Sequence, residues 1–422
     1  MNLKTIINKP IIRNSIMMYI FNAERICFPF ILVLYLTRVL SVECYSIYVY
    51  SYAIASYHRL IVDFGFDYSA TRNVAKSTHA EDKLNIVFEV IMSKVFLWFC
   101  GVLSIFMYTI LSNDMYIRQN LLFFFFISLE IFFEIFFLDF YFRGIEKMEI
   151  ISYRYFISKI ISLILIVLYI ENDKYFLYIS IFNCLGSFVG ACVTFSSLDI
   201  PVKYNKSKLF NKKTIINQIK DSIKFFLTKI TVSLFTFSNT VFLGRFSSAY
   251  DVAVWSLAVN IVSAIQSMYN PISNALFPAM SKKFDIKIIK KSIVFNIVIV
   301  IFTNIVFWFL DPVMIPFLFG ERYECVSSIL NILLIMLFFS AIINIMGWPV
   351  LGALGGERFM LLSAIMGALF HLSGIAILSY FGKLNAYTLS YWRVCSECVL
   401  SFFIIIFALK IMRIFNEVDR SC

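Results

Sequence analysis

Long hydrophobic stretches alternate with short polar connectors along all 422 residues of the chain. Because a helix that crosses a bilayer needs about 20 apolar residues, this pattern predicts an all-α integral membrane protein with twelve transmembrane helices. Six are expected at Asn14–Thr37, Cys44–Phe66, Ile86–Leu111, Gln119–Tyr141, Ile151–Ile170 and Tyr175–Ser196. The other six are expected at Ser222–Gly244, Val252–Ala279, Ser292–Leu310, Val326–Ala353, Phe359–Phe381 and Tyr387–Ile411.

The most polar connector lies near the middle of the chain, where Pro201–Lys220 carries six lysines and no acidic residue. It predicts an N-terminal six-helix bundle over residues 1–200, a basic cytoplasmic connector over 201–221 and a C-terminal six-helix bundle over 222–422. A weak internal repeat supports two bundles, since Arg38–Glu43 precedes the second helix as Arg245–Asp251 precedes the eighth. Two repeats of the same orientation predict a pseudo-two-fold axis along the membrane normal.

The distribution of lysine and arginine predicts the orientation in the membrane. These residues concentrate in the N-terminal tail, in every second connector and in the C-terminal tail. Cytoplasmic segments carry an excess of Lys and Arg, so both termini are expected in the cytoplasm. The basic start is followed by a long segment without a cleavage site of small residues, which predicts a first transmembrane helix rather than a cleaved signal.

Composition narrows the class of function. The chain is 60% hydrophobic and 18% aromatic, whereas a soluble domain is about 45–50% apolar. The net charge of +11 lies in the connectors, so topology explains it better than binding to nucleic acid. No phosphate-binding loop, zinc-protease motif or acidic metal cluster occurs, so no enzyme activity, metal or cofactor is expected. Cys395 and Cys398 match a redox spacing but fall within an apolar helix, which favours ordinary packing.

Ionisable side chains inside the predicted helices are the candidate functional residues, because each costs roughly 2.5–3.5 kcal/mol to insert. They are Glu24, Arg25, Arg59, Asp63, Glu89, Lys94, Glu130, Glu134, Lys159, Lys229, His371, Arg393 and Glu397. The spacing of Arg59 with Asp63, and of Arg393 with Glu397, predicts a pair along one helix face in each case. Arg154 and Lys224 lie near helix ends and are expected to extend toward the membrane surface.

Glu130 and Glu134 lie one helical turn apart and have the same charge, so the two carboxylates cannot both stay ionised without compensation. Lys94 and Lys159 are the expected partners. Either a proton site for ion-coupled transport or an ion-pair cluster that stabilises the bundle would account for them. Lys229 lies roughly 10 Å inside its helix with no acid within one turn, so it requires a hydrated cavity or an acid on another helix. His371 is expected to be a packed, hydrogen-bonded histidine.

Two passages of the chain resemble the O-antigen flippase family (Wzx type) of the polysaccharide-export and multidrug-exporter superfamily. The first runs from Leu36 to Arg72 and contains the sequences TRVLSVECYSIY, VDFGF and SATR. The second contains NTVFLGRFSS from Asn239 and PISNALFP from Pro271. The family's usual glycines before the second and eighth helices are Ser41, Cys44 and Ala253 here.

The resemblance implies a flippase that moves undecaprenyl-pyrophosphate-linked oligosaccharide repeat units across the bacterial inner membrane. A pyrophosphate and sugars need a hydrated, cationic path, for which position in the chain suggests Arg25, Arg59, Lys94, Lys159 and Lys229. Glu24, Asp63, Glu89, Glu130 and Glu134 are the candidate proton or ion-coupling residues. The partners implied are the lipid-linked oligosaccharide, membrane lipids, a polysaccharide polymerase and a chain-length regulator. The alternatives are a drug or cation antiporter of the same superfamily and a membrane polysaccharide polymerase.

Overall fold

A computed structural model describes residues 10–112, 115–198, 212–268, 270–282 and 284–421. The described residues form helices and connectors and contain no β-strand, which confirms the predicted all-α membrane fold. The chain divides into two compact units, Met1–Ser233 (unit 1) and Leu234–Cys422 (unit 2). Most of the lysine-rich connector, including Lys208, lies outside the described residues.

Unit 1 is built from the helices of the first half of the chain. They are α1 (Pro10–Val39), α2 (Val42–Asp63), α3 (Phe66–Lys76), α4 (Ala80–Ser112), α5 (Met115–Gln119), α6 (Leu121–Glu134), α7 (Asp139–Gly144), α8 (Met148–Tyr169) and α9 (Phe176–Ser196). Short 3-10 turns at Ile135–Phe137 and Asp173–Tyr175 precede α7 and α9. In this unit α9 packs against α6 and α8, and α1 packs against α8.

Unit 2 begins within a long helix, α10 (Lys212–Phe246), whose first part belongs to unit 1. The following helices are α11 (Ala249–Ser267), α12 (Asn270–Lys282), α13 (Ile286–Phe319), α14 (Cys325–Ile345), α15 (Glu357–Tyr380) and α16 (Ala386–Ser421). A π-helical turn at Met346–Gly352 follows α14 directly. Helix α14 packs against α11, α13 and α16, and α16 also packs against α15.

Ten helices in the described part of the chain are long and apolar enough to cross a membrane, and α10 would be an eleventh as one bent span. Its two segments, Ile216–Thr231 and Ser233–Phe246, meet at an angle of 50°. The remaining predicted helix is present as α2, but its polar side chains, Arg59 and Asp63 among them, reduce its hydropathy. The predicted eighth helix is divided, because α11 ends at Ser267 and a separate helix starts at Asn270.

Helix α2 ends at Asp63 rather than at the predicted Phe66 because the chain turns sharply there. Phe64 and Gly65 both have positive φ, +37° and +83°, which stops the helix and starts α3 in a new direction. The turn also lies against the first part of α10. A Cβ on Gly65 would lie 2.7 Å from Phe225 Cβ and 3.0 Å from the backbone nitrogen of Phe226. Glycine is therefore required here for both its φ and its size.

Replacing Gly65 with alanine is expected to lower the thermal stability of the protein in detergent. The added methyl group would collide with backbone and side chain in a residue whose φ already costs about 1 kcal/mol for non-glycine residues. Gly355 is a matched control, since its φ is +74° and nothing lies within 4 Å of a Cβ there. Melting curves of Gly65→Ala and Gly355→Ala should differ by several degrees, and equal curves would contradict the close approach at Gly65.

Candidate functional site

A cavity of about 390 Å³ lies within unit 1 and is lined by an unusual number of charges for a bundle of membrane helices. Its basic lining consists of Arg25, Arg59, Lys94, Arg143, Arg154 and Lys159, and its acidic lining of Asp63, Asp67, Glu130, Glu134 and Asp139. Tyr48, Tyr52, Tyr155 and Asn183 add neutral polar groups. Four of the five proposed path cations and three of the five proposed coupling acids thus meet at one cavity.

The carboxylates of Glu130 and Glu134 on α6 face Arg59 on α2. The Arg59 guanidinium donates to Glu134 through Nε at 2.6 Å and through Nη2 at 3.2 Å, and Nη2 lies 3.9 Å from Glu130. Lys159 on α8 approaches Glu130 at 3.4 Å, which confirms its predicted partnership. Two cations therefore balance the two like charges that α6 presents.

Glu130 is also hydrogen-bonded to neutral side chains. The carboxyl group is almost fully buried and accepts a 3.0 Å hydrogen bond from the Tyr52 hydroxyl. The Asn183 amide donates to the same hydroxyl oxygen at 2.9 Å. The Tyr52 hydroxyl, itself held by the Asn183 amide, therefore fixes Glu130 at the cavity wall.

Arg59 and Asp63 do not pair with each other, and the prediction of a self-neutralised helix face is wrong. Asp63 lies at the last turn of α2, where it accepts a 3.0 Å hydrogen bond from Lys94 on α4. The prediction that Lys94 partners Glu130 or Glu134 is wrong for the same reason. Contacts between helices compete with the i,i+4 pair, and the packing of α2 against α4 therefore determines the partners of Asp63 and Lys94.

The prediction that Arg154 extends toward the membrane surface is wrong, because its side chain is almost fully buried. Its Nη2 donates to Asp139 at 2.7 Å, and its guanidinium lies 3.8 Å from the centre of the Phe137 ring. The Nε and Nη1 atoms are buried and have no hydrogen-bond partner in the described residues. Leu138, with a φ of +54°, separates Phe137 from α7 and places Asp139 beside Arg154. A leucine with positive φ leaves no mark in the sequence, so this site could not be found from it.

Lys229 and Glu89 lie outside the lining of the cavity. Lys229, in the first part of α10, pairs at 3.0 Å with Asp67 on α3. This acid on another helix is one of the two situations predicted for the lysine. Glu89 accepts a 3.0 Å hydrogen bond from Gln218, also on α10. Both contacts attach the first part of α10 to the rest of unit 1.

Glu24 and Arg25 are neighbours on α1 but have different surroundings. Both carboxylate oxygens of Glu24 lie 3.0 Å from the Ser152 hydroxyl, away from the cavity lining. Arg25 lines the cavity, is exposed, and lies 5.7 Å from the centre of the Phe21 ring. Since the lining contains six basic and five acidic side chains, Arg25 contributes to a small excess of positive charge there.

In unit 2 the predicted pair of Arg393 and Glu397 is confirmed, at 3.6 Å along α16. His371 is buried and hydrogen-bonded through both ring nitrogens, as predicted. No group of three or more side chains suited to hold a metal ion occurs among the described residues.

Comparisons with known proteins agree with this architecture. The chain aligns in structure with a multidrug resistance MATE family transporter of the MOP superfamily in an inward-facing conformation, with a TM-score of 0.74 and 12% identity over 97% of this chain and 99% of the other. It also aligns with lipid II flippase MurJ, with a TM-score of 0.72 and 14% identity over 95% and 90% of the two chains. The chain therefore shares the fold of these two proteins.

The amino-acid sequence also matches a known protein family. The model of the family described as polysaccharide biosynthesis protein matches residues 11–284, and the chain belongs to this family. A relative from Shigella dysenteriae, named "Putative O-antigen transporter", is 25% identical over 366 residues, which cover 85% of this chain and 91% of the relative.

Proposed function

We propose that the protein is a flippase that carries undecaprenyl-pyrophosphate-linked O-antigen repeat units across the bacterial inner membrane. The family match, the relative named as an O-antigen transporter and the fold shared with a lipid II flippase support this cargo. The charged cavity of unit 1 carries the proposal, because eleven ionisable side chains around one space suit a polar, anionic cargo better than a hydrophobic drug.

The pyrophosphate would bind to cations whose hydrogen-bond donors are not fully used. Arg154 has two buried donors without a partner, and Arg143 has a buried Nε in the same situation within the described residues. Arginine suits phosphate because its planar guanidinium can donate two parallel hydrogen bonds. Arg25, Arg59, Lys94, Lys159 and Lys229 remain the proposed cationic path, with Arg25 the least committed to an acid.

The candidate coupling acids would hold or release protons as the cargo enters and leaves. Glu130 is the best placed of Glu24, Asp63, Glu89, Glu130 and Glu134, because it is buried and touches both a cation and a tyrosine hydroxyl.

Deleting the gene is expected to remove O-antigen-type glycan from the cell surface and to cause lipid-linked repeat units to accumulate on the cytoplasmic leaflet. Glycan display is measured with lectin or antibody, and the leaflet by the susceptibility of the lipid-linked sugars to an added periplasmic glycosidase. If single repeat units reach the periplasm and only chain extension fails, the protein is a polymerase instead. Unchanged glycan together with increased drug sensitivity would favour a drug antiporter.

Both termini are expected to lie in the cytoplasm, with the lysine-rich connector on the same side. Reporter fusions at Lys208 and Lys283 should read as cytoplasmic, and fusions at Asp114 and Glu321 as periplasmic. Lys208, Lys283 and Asp114 lie outside the described residues, whereas Glu321 begins a 3-10 turn between α13 and α14. A periplasmic signal at Lys208 would invert the orientation, since the excess of lysine and arginine there determines it.

A further inference from the structure

His371 is a titratable side chain within unit 2 to which the cavity of unit 1 gives no role. It lies in α15, is inaccessible to solvent and stacks on Phe235 of α10 with ring centres 4.6 Å apart. Its Nε2 lies 2.8 Å from the Asn239 side-chain oxygen on α10, and its Nδ1 lies 2.9 Å from the Ser396 hydroxyl on α16. One imidazole therefore links three helices.

The hydrogen bonds of Asn239 and Ser396 determine whether each ring nitrogen of His371 donates or accepts a hydrogen bond. The Asn239 amide nitrogen donates to the carbonyl of Phe235 at 3.0 Å, so the amide oxygen must face His371 and Nε2 must carry a hydrogen. The Ser396 hydroxyl lies 2.7 Å from the carbonyl of Trp392, to which it can donate its single hydrogen. With that hydrogen used, Ser396 can only accept from Nδ1.

The site therefore accommodates two protonation states without moving a heavy atom. When Ser396 donates to Trp392, both ring nitrogens of His371 face acceptors, and a doubly protonated imidazolium is fully hydrogen-bonded. When the Ser396 hydroxyl rotates, its hydrogen points to Nδ1 and the neutral imidazole is fully hydrogen-bonded. Buried His58 in unit 1 differs, because its Nε2 faces the Trp98 carbonyl while its Nδ1 has no hydrogen-bond partner among the described residues.

In the described part of the chain, the contacts around His371 lead to two charged side chains, and both lie on α16. The Arg393 guanidinium lies over Phe235 at 4.1 Å from the ring centre, and Glu397 pairs with Arg393. Helix α10 brings Phe235 and Asn239 into contact with His371, and the turn Met346–Gly352 has no titratable residue. Glu397 balances the Arg393 guanidinium, which lies over the ring that stacks on His371.

We propose that His371 is a proton-binding site and that the proton it takes up and releases, with rotation of the Ser396 hydroxyl, is coupled to transport. The coupling rests on the proposed flippase function, whereas proton binding does not. Ionisable side chains within membrane helices are costly, so they are found mostly at functional sites. His371 has a hydrogen-bond partner for each of its two protonation states. Movement of α16 relative to α10 and α15 would separate Ser396 and Arg393 from the imidazole and change its affinity for a proton.

Nitrogen NMR of histidine-labelled protein in lipid nanodiscs tests proton binding directly, because the chain has only three histidines. Signals are assigned with His58→Gln and His79→Gln, so a His371 variant is not needed. The His371 signals should change from one protonated nitrogen to two as the pH falls from about 9 to about 4. At a fixed acidic pH, Arg393→Gln should increase the doubly protonated fraction, and Glu397→Gln and Ser396→Ala should decrease it. A single neutral tautomer over this range, in wild type and in Arg393→Gln, would overturn the inference.

Coupling is tested by transport of a lipid-linked oligosaccharide into proteoliposomes, with and without a pH gradient. Wild-type transport should rise several-fold with the gradient, and His371→Gln should give the same rate in both conditions. A gradient response retained by His371→Gln would overturn the coupling while leaving the flippase function intact. Wild-type protein that moves no lipid-linked oligosaccharide would instead refute the proposed function, and the NMR titration would still decide whether His371 binds a proton.

Discussion

Replacing Arg59 with glutamine is expected to abolish glycan export and to reduce the amount of folded protein in the membrane. Its guanidinium is the shared partner of Glu134, at 2.6 Å, and of Glu130, at 3.9 Å. Without it, Lys159 is the one cation within 4 Å of these two carboxylates among the described residues. Arg59 is about one-third exposed, but the carboxylates that it leaves behind are only 2% and 18% exposed, so the cost should lie below the roughly 3–5 kcal/mol of a fully buried ion pair and still be a large part of the stability of a typical domain.

A second variant separates stability from transport. In Arg59→Gln/Glu134→Gln the cation and one acid are both neutral, so the protein should return to near-normal abundance while export stays low. Abundance is measured by immunoblot of membranes, stability by melting in detergent and export by surface glycan. Arg118→Gln is the matched control, because Arg118 is exposed and, among the described residues, donates to backbone carbonyls near the end of α4. Normal export from Arg59→Gln would show that Arg59 and its contacts with Glu130 and Glu134 are not needed for transport.

Lys229→Ala is expected to lower abundance, because it leaves the carboxylate of Asp67 without its 3.0 Å partner. Lys229 compensates one carboxylate that is 26% exposed, whereas Arg59 faces two that are 2% and 18% exposed, so the loss of stability should be smaller than for Arg59, about 1–3 kcal/mol. Lys229→Arg should keep the pair and retain most of the export. The double variant Lys229→Ala/Asp67→Asn should recover abundance, since no charge is then unpaired.

The double variant also decides whether Lys229 acts on the cargo. Export that recovers together with abundance assigns the lysine a structural role in attaching α10 to α3. Export that stays low at normal abundance assigns it to the cationic path. Normal abundance and normal export from Lys229→Ala alone would contradict both roles.

The sequence predicted the membrane fold well because hydrophobic length is a direct consequence of bilayer thickness. The number and order of the long helices, and most of the charged positions at the cavity, followed from that rule. The pairing of Arg393 with Glu397 was also predictable, since both lie on one face of α16 and no nearer charge competes.

The partners of Arg59, Asp63 and Arg154 could not be predicted because they depend on how helices pack. Local spacing favoured Arg59 with Asp63, but Glu134 and Lys94 on other helices offered closer geometry. Arg154 lies close to the start of α8 in sequence, and nothing local indicates that Phe137 and Asp139 cover it. Asp67 was missed as a partner because the turn at Gly65 changes the direction of the chain just before it.

Helix α10 has a consequence for how the protein could be divided into pieces. Its first part belongs to unit 1, held by Gln218 to Glu89 and by Ser222 to Ser69, while its last part belongs to unit 2. A chain cut in the lysine-rich connector would give a second fragment that carries a segment of the first unit. When the two fragments are expressed separately, the first part of α10 in the second fragment would have to pack into unit 1 of the first fragment, and this packing would guide their reassembly.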